Sequence, residues 1–118
     1  MTLEELKTRC KNAGFKYAYG AFKKPTKPPH LIAITVDTDN FMADNKVYYG
    51  SIPIQLDYTY IDKNEEEQNK IEKEILGDIP WNKTEETYLQ DEKVWQISYF
   101  FEIQKLKEET NNGRRNKQ

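Results

Sequence analysis

The sequence predicts an α+β fold: a mostly antiparallel, twisted sheet of about five strands packed against two helices, with a long β-hairpin projecting from it. Three observations carry this reading. Ile52, Ile54, Leu56, Tyr58 and Tyr60 recur at every second position, while Gln55, Asp57 and Thr59 fill the positions between. That is the two-residue period of a pleated strand with one apolar face. Trp95, Ile97, Tyr99, Phe101 and Ile103 repeat the pattern near the end of the chain. Two stretches, residues 3–13 and 63–76, instead space their apolar residues by three and four, as helices do. Strands with one apolar face need cover, and amphipathic helices supply it.

In chain order, Thr2 and Glu5 have the spacing of a capping box. Leu3, Leu6, Cys10 and Ala13 mark the inner face of the first helix. Gly14 suits the left-handed position that ends it, with Phe15 closing over the turn. Phe15, Tyr17, Tyr19 and Ala21 alternate with Lys16, Ala18, Gly20 and Phe22, which reads as a strand at the sheet's edge. Residues 23–30, KKPTKPPH, hold three prolines and three lysines and predict an exposed, stiff connection. Residues 31–38 are rich in β-branched side chains and read as a central strand, with Ile32, Ile34 and Val36 on one face.

Turn formers at Asp39-Asn40 and Asp44-Asn45 bracket Phe41 and Met42, two apolar residues in a polar loop. Pro53 cannot donate to a ladder, so a bulge or an unpaired edge is expected there. With Gly50 nearby, residues 45–53 read as a bent arm. Asp62 and Glu65 resemble a second cap, and Glu65, Glu66 and Glu67 sit where acids favour a helix dipole. Gly77 ends that helix. Residues 81–89 and 93–103 then form the last hairpin, joined by Gln90, Asp91 and Glu92. No internal repeat occurs.

The 118 residues fit one domain, residues 1–104, followed by a basic tail, residues 105–118, that is expected to be disordered. That tail carries five basic and two acidic residues, whereas the chain as a whole is −2, so the body is acidic. A global basic field for nucleic acid is therefore absent. Eight tyrosines among 13% aromatic residues argue for an ordered core. The single cysteine, Cys10, excludes an intramolecular disulfide and fits a reducing compartment. The opening residues, MTLEELK, read as a helix start and not as a signal peptide. No apolar run approaches the ~20 residues of a membrane span.

Reactive constellations are missing from the pattern. His30 is the lone histidine, and one cysteine does not complete a zinc set. The five glycines are scattered and do not form a phosphate loop. Asp37, Asp39 and Asp44 crowd one loop, but the EF-hand order requires Gly where Met42 stands and Glu where Tyr48 stands. The expectation is a protein that is not an enzyme and uses no cofactor or metal. Its chemistry lies in contacts, and the candidate contact residues are Lys23, Lys24, Lys27, His30, Phe41, Met42, Lys46, Tyr48, Tyr49 and Pro53.

The string DNFMADNKVYY (residues 39–49), the long strand and Glu/Lys helix after it, and the segments TEETY (84–88) and EKVWQISYFFEI (92–103) together resemble small neck proteins. These are the tail-completion or tail-terminator proteins of long-tailed bacteriophages and prophages of Gram-positive bacteria. The resemblance covers residues 1–103 and rests on turns and strands, not on a reacting centre. It implies a structural subunit of the virion, assembled in the host cytoplasm, that closes into a six-fold homo-oligomeric ring. Such a ring ends the tail tube and joins it to the head connector, and DNA passes through its lumen without specific binding. The tail-tube protein and the head-connector protein would be its partners, with no membrane involved. A head-closure protein on the other side of the same joint shares the pattern. A small phage-encoded binding module, an inhibitor or a nucleic-acid adaptor, is the alternative of a different class.

Overall fold

The computed structural model describes residues 1–36 and 51–104. Helix α1 (Leu3–Asn12) begins with the capping box: Thr2 N donates to Glu5 Oε1 at 2.9 Å and Glu5 N to Thr2 Oγ1 at 3.2 Å. It ends with Gly14 at φ 93°, Gly14 N bonding to Lys11 O and Phe15 N to Cys10 O. That pair of bonds satisfies carbonyls the helix would otherwise leave open, in the Schellman manner.

Strand β1 (Lys16–Tyr19) follows directly and pairs in parallel with β2 (His30–Thr35). Strand β3 (Ile52–Tyr60) is antiparallel to β2 on one side and to β6 (Val94–Ile103) on the other. Two short strands, β4 (Asn82–Lys83) and β5 (Thr87–Leu89), both pair with the outer edge of β6. The order across the sheet is β1-β2-β3-β6-β4, with β5 beside β4 on β6. This is an α+β fold with a mixed, mostly antiparallel sheet.

Helix α2 (Glu65–Lys70) is capped by Asn64, whose Oδ1 accepts from Glu67 N at 3.1 Å. The cap expected from Asp62 therefore starts two residues late. The helix then widens into a π turn (Ile71–Ile75), closed by Leu76 N on Ile71 O. This widening lets Ile71, Ile75 and Leu76 all reach zero exposure. Gly77 ends it for a steric reason: a Cβ there would lie 2.2 Å from Lys73 O. Arg9 ties the two helical segments together, donating to Ile75 O and making a two-point contact with Asp78.

Both helical segments lie on one face of the sheet. Leu6 and Cys10 from α1, and Ile71, Ile75 and Leu76, pack in one core with Leu31, Ala33, Ile54, Leu56, Tyr58, Ile97 and Tyr99. Removing side chains of this size from water stabilises the fold by about 1.5–3 kcal/mol each before entropy is counted. Strand β2 buries Leu31 and Ala33, so Ile32, Ile34 and Val36 share the opposite face and remain half-buried.

Two further expectations change. Pro53 causes neither a bulge nor an unpaired edge: the register of β3 against β6 runs unbroken from Ile52↔Ile103 to Tyr60↔Trp95. Pro53 sits at the end of the β2 ladder, where its carbonyl still accepts from Val36 N at 3.0 Å. Only the final donor is lost, so the strand stays straight in register. The bulge lies elsewhere. Residues 81–89 do not form one strand, because residues 84–86 oppose only Ile97 and Ser98 between β4 and β5. There Thr84 Oγ1 accepts from Ser98 N at 3.1 Å, replacing a ladder bond by a side chain. The tip of the expected projecting hairpin falls in residues 37–50, outside the described residues. The basic tail likewise falls outside them, from residue 105 onward.

Candidate functional site

Register places the second face of the sheet residue by residue. Lys16, His30, Thr59 and Gln96 form one row across it, and Ala18, Ile32, Asp57 and Ser98 form the next. Ile34, Gln55 and Phe100 follow, and Pro53 and Glu102 stand at the far end. The face is apolar toward Ile32, Ile34 and Val36 and polar around Asp57. That carboxylate is fixed: Gln55 Nε2 donates to Asp57 Oδ1 at 2.8 Å, and Ser98 Oγ donates to the same oxygen at 2.6 Å. Among the described residues no helix packs on this face.

The proline-rich connection between β1 and β2 crosses its β1–β2 side. Lys16 Nζ donates to Lys27 O, and the Phe22 ring meets the His30 ring edge-on at 5.1 Å. His30 Nδ1 is buried without a hydrogen-bond partner among the described residues. Burial, then the nearby Lys16 charge, hold the imidazole below its ordinary pKa, so it is neutral near pH 7. Lys23, Lys24 and Lys27 are exposed along the connection.

Of the candidate contact residues, His30 and Pro53 lie on the face of the sheet away from the helices, at opposite ends of it, and Lys23, Lys24 and Lys27 are exposed on the connection beside the His30 end. Phe41, Met42, Lys46, Tyr48 and Tyr49 lie outside the described residues. A groove of about 650 Å³ opens at the Pro53 end, between Pro53 and Phe100 and the Ile79-Pro80-Trp81 turn. Asp57 and Ser98 were not singled out from the sequence, although their alternation with Leu56 and Ile97 marks them as a polar pair facing away from the core.

The helix-covered side carries a different chemistry. Tyr58 OH donates to Glu67 at 2.7 Å, Tyr99 OH to Glu72 at 2.8 Å and Tyr60 OH to Glu86. Lys83 Nζ reaches Glu72 at 2.7 Å and lies 5.9 Å above the Trp81 ring. Burial first, then hydrogen bonding to the glutamates, push all three phenols above their ordinary pKa, so they serve as donors and not as bases. Cys10 has no exposed surface, and burial pushes its thiol up to about 12, which suits packing and not nucleophilic attack. Among the described residues no cluster of His, Cys, Asp and Glu could hold a metal ion, and no helix is long and apolar enough to cross a membrane.

No protein-family model, curated protein or solved structure matches this chain.

Proposed function

We propose that this chain is a structural assembly subunit, specifically a tail-completion subunit of a long-tailed bacteriophage. In this reading it closes as a homo-oligomeric ring on the end of the tail tube and joins the tail to the head connector. The phage assignment rests on the resemblance of residues 1–103. The observation that carries the assembly role is the layout of the sheet. Helices cover one face, while among the described residues the other face is crossed only by the proline-rich connection at its β1–β2 side, and both lateral edges are unpaired. A half-apolar sheet face and unpaired edge strands are what a subunit offers its neighbours. Fixed polar groups such as Asp57 add register to such a contact without reacting.

Light scattering on the full chain over a concentration series, with and without the tail-tube protein of a long-tailed phage, tests the proposal. The expected result is a ring-sized particle that forms with, or is stabilised by, the tube subunits. A strict monomer that ignores them at every concentration overturns it.

A further inference from the structure

The two lateral edges of the sheet carry opposite charge, and we infer that they pair head to tail between copies of this chain: the β4–β5 edge of one copy docks beside β1 of the next. This inference rests on the assembly-subunit reading above and names the contact within it. From residue 15 to residue 36 the chain holds Lys16, Lys23, Lys24 and Lys27 and no acid. These residues belong to β1, the crossing connection and β2, at one edge of the sheet. The opposite edge, residues 82–92, holds Glu85, Glu86, Asp91 and Glu92 against Lys83 alone. Lys83 is already engaged by Glu72 and Glu86 by Lys63, which leaves Glu85, Asp91 and Glu92.

Position and direction agree with the charges. Lys16, His30, Thr59, Gln96 and Thr87 lie in one row across the whole sheet, so β1 and β5 stand at the same height on opposite edges. β1 runs with β2 and β6, and β5 runs against β6. A sideways step of one sheet width therefore sets β5 antiparallel to the next copy's β1. The surfaces agree in chemical character as well. The outer side of β1 carries a groove of about 570 Å³ lined by Phe15, Tyr17, Phe22 and Lys16. The facing edge presents Tyr88, 43% exposed, and Trp95, 37% exposed, with ring centres 5.1 Å apart. An exposed aromatic pair flanked by acids fits an aromatic groove flanked by lysines. The contact joins two different surfaces, so it propagates from copy to copy, closing as a ring where each step also turns, and does not stop at a two-fold dimer. The bulge at residues 84–86 makes this a side-chain contact more than a simple strand addition.

Three full-length samples test the pairing by sedimentation over a concentration series: the natural chain, K23E/K24E/K27E and E85K/D91K/E92K. The substituted side chains make no hydrogen bond or ion pair among the described residues, and circular dichroism checks that each variant is folded. The first variant has two acidic edges and the second has two basic edges. Each alone should associate at least about tenfold more weakly than the natural chain. An equimolar mixture should recover association, because acidic and basic copies can alternate, and added salt should weaken it. Rings that form equally in all samples would leave the assembly reading standing and sink the edge pairing. Association lost in the variants but not recovered on mixing also overturns it. Lysine-dependent binding of duplex DNA by a chain that stays monomeric overturns the pairing in favour of a nucleic-acid contact. A natural chain that remains monomeric with tail-tube subunits present removes the assembly reading itself.

Discussion

The two faces of this sheet are made by the same strands and obey different rules. On the covered face, each strand lays its alternate residues against helices, and Leu56, Tyr99 and Leu31 reach zero exposure. On the other face, Ile34, Gln55 and Phe100 stay half-buried, and Asp57 is held by side chains of its own sheet. Depth of burial, not hydrophobicity of the residue, separates them, since Ile32 and Ile34 are as apolar as Ile54. The larger buried side chains, and with them most of the stability, are therefore concentrated on one side.

Neighbouring positions break that comparison most directly. Leu56→Ala opens a cavity in the covered core and should lower unfolding free energy by about 2–5 kcal/mol. Ile34→Ala on the second face should cost less than about 1.5 kcal/mol. Urea denaturation of both variants reads the difference. Equal losses would mean that the second face is packed as deeply as the first.

The helix cover can be loosened without touching the core. Gly77→Ala drives a methyl into Lys73 O, a backbone atom that cannot rotate away, and should cost about 1–3 kcal/mol. Gly14→Ala meets no atom but adopts φ 93°, so its cost should be smaller, about 1 kcal/mol. Thermal unfolding of the pair ranks clash against strain. A Gly77 variant as stable as the natural chain would show that the π turn can relax.

Acid separates the faces by pH window. His30, on the second face, has its pKa lowered by burial and then by Lys16. The unfolded chain takes up that proton first, so stability is full above about 6.5 and falls as the pH drops below that value towards the lowered folded pKa. Carboxylates on the covered side act later. Burial raises Glu72, but hydrogen bonds from Lys83 and Tyr99 outweigh it and hold the group below its ordinary 4.5. Asp78 is lowered by the Arg9 hydrogen bond, and Glu86 by that from Tyr60. Their contribution is present above about 4.5 and is lost as the pH falls through the folded values. Denaturation midpoints from pH 8 to pH 3 should show two steps downward. His30→Asn should abolish the upper step alone, and a single step in the natural chain would contradict the assignment.

What could be read from residues alone divides along the same physical line. Local rules held where the cause is local. Thr2 and Glu5 cap a helix three residues apart, Gly14 takes the left-handed turn, and β3 and β6 alternate because a pleat must. Non-local causes left no such trace. The parallel pairing of β1 with β2 depends on the path of the proline-rich connection, not on any period within β1. Pro53 signals a missing donor, but whether that donor is needed depends on where β2 stops, one position away in the ladder. The bulge at Thr84 is invisible because a threonine replacing a ladder bond looks like any strand threonine. The π turn arises from three apolar residues competing for one core, which helical spacing alone does not reveal. The candidate contacts share this limit: His30 and Pro53 could be named from composition, but their place on one face of the sheet follows only from the register.

The smallest expected effect lies at the hairpin turn, far from the core. Lys93 has φ 59°, a left-handed conformation that costs a side-chain-bearing residue free energy, and its N–H closes the turn on Leu89 O at 2.7 Å. Lys93→Gly removes that strain but adds freedom to the unfolded chain, so the two effects partly cancel. A net gain of about 0.5 kcal/mol is expected, opposite in sign to every substitution above. Because the turn joins β5 to β6 at the edge, the gain should appear as slower amide exchange in residues 87–96 more than in β2 or β3. Protection that rises uniformly over the sheet would instead mean that this edge unfolds only together with the body.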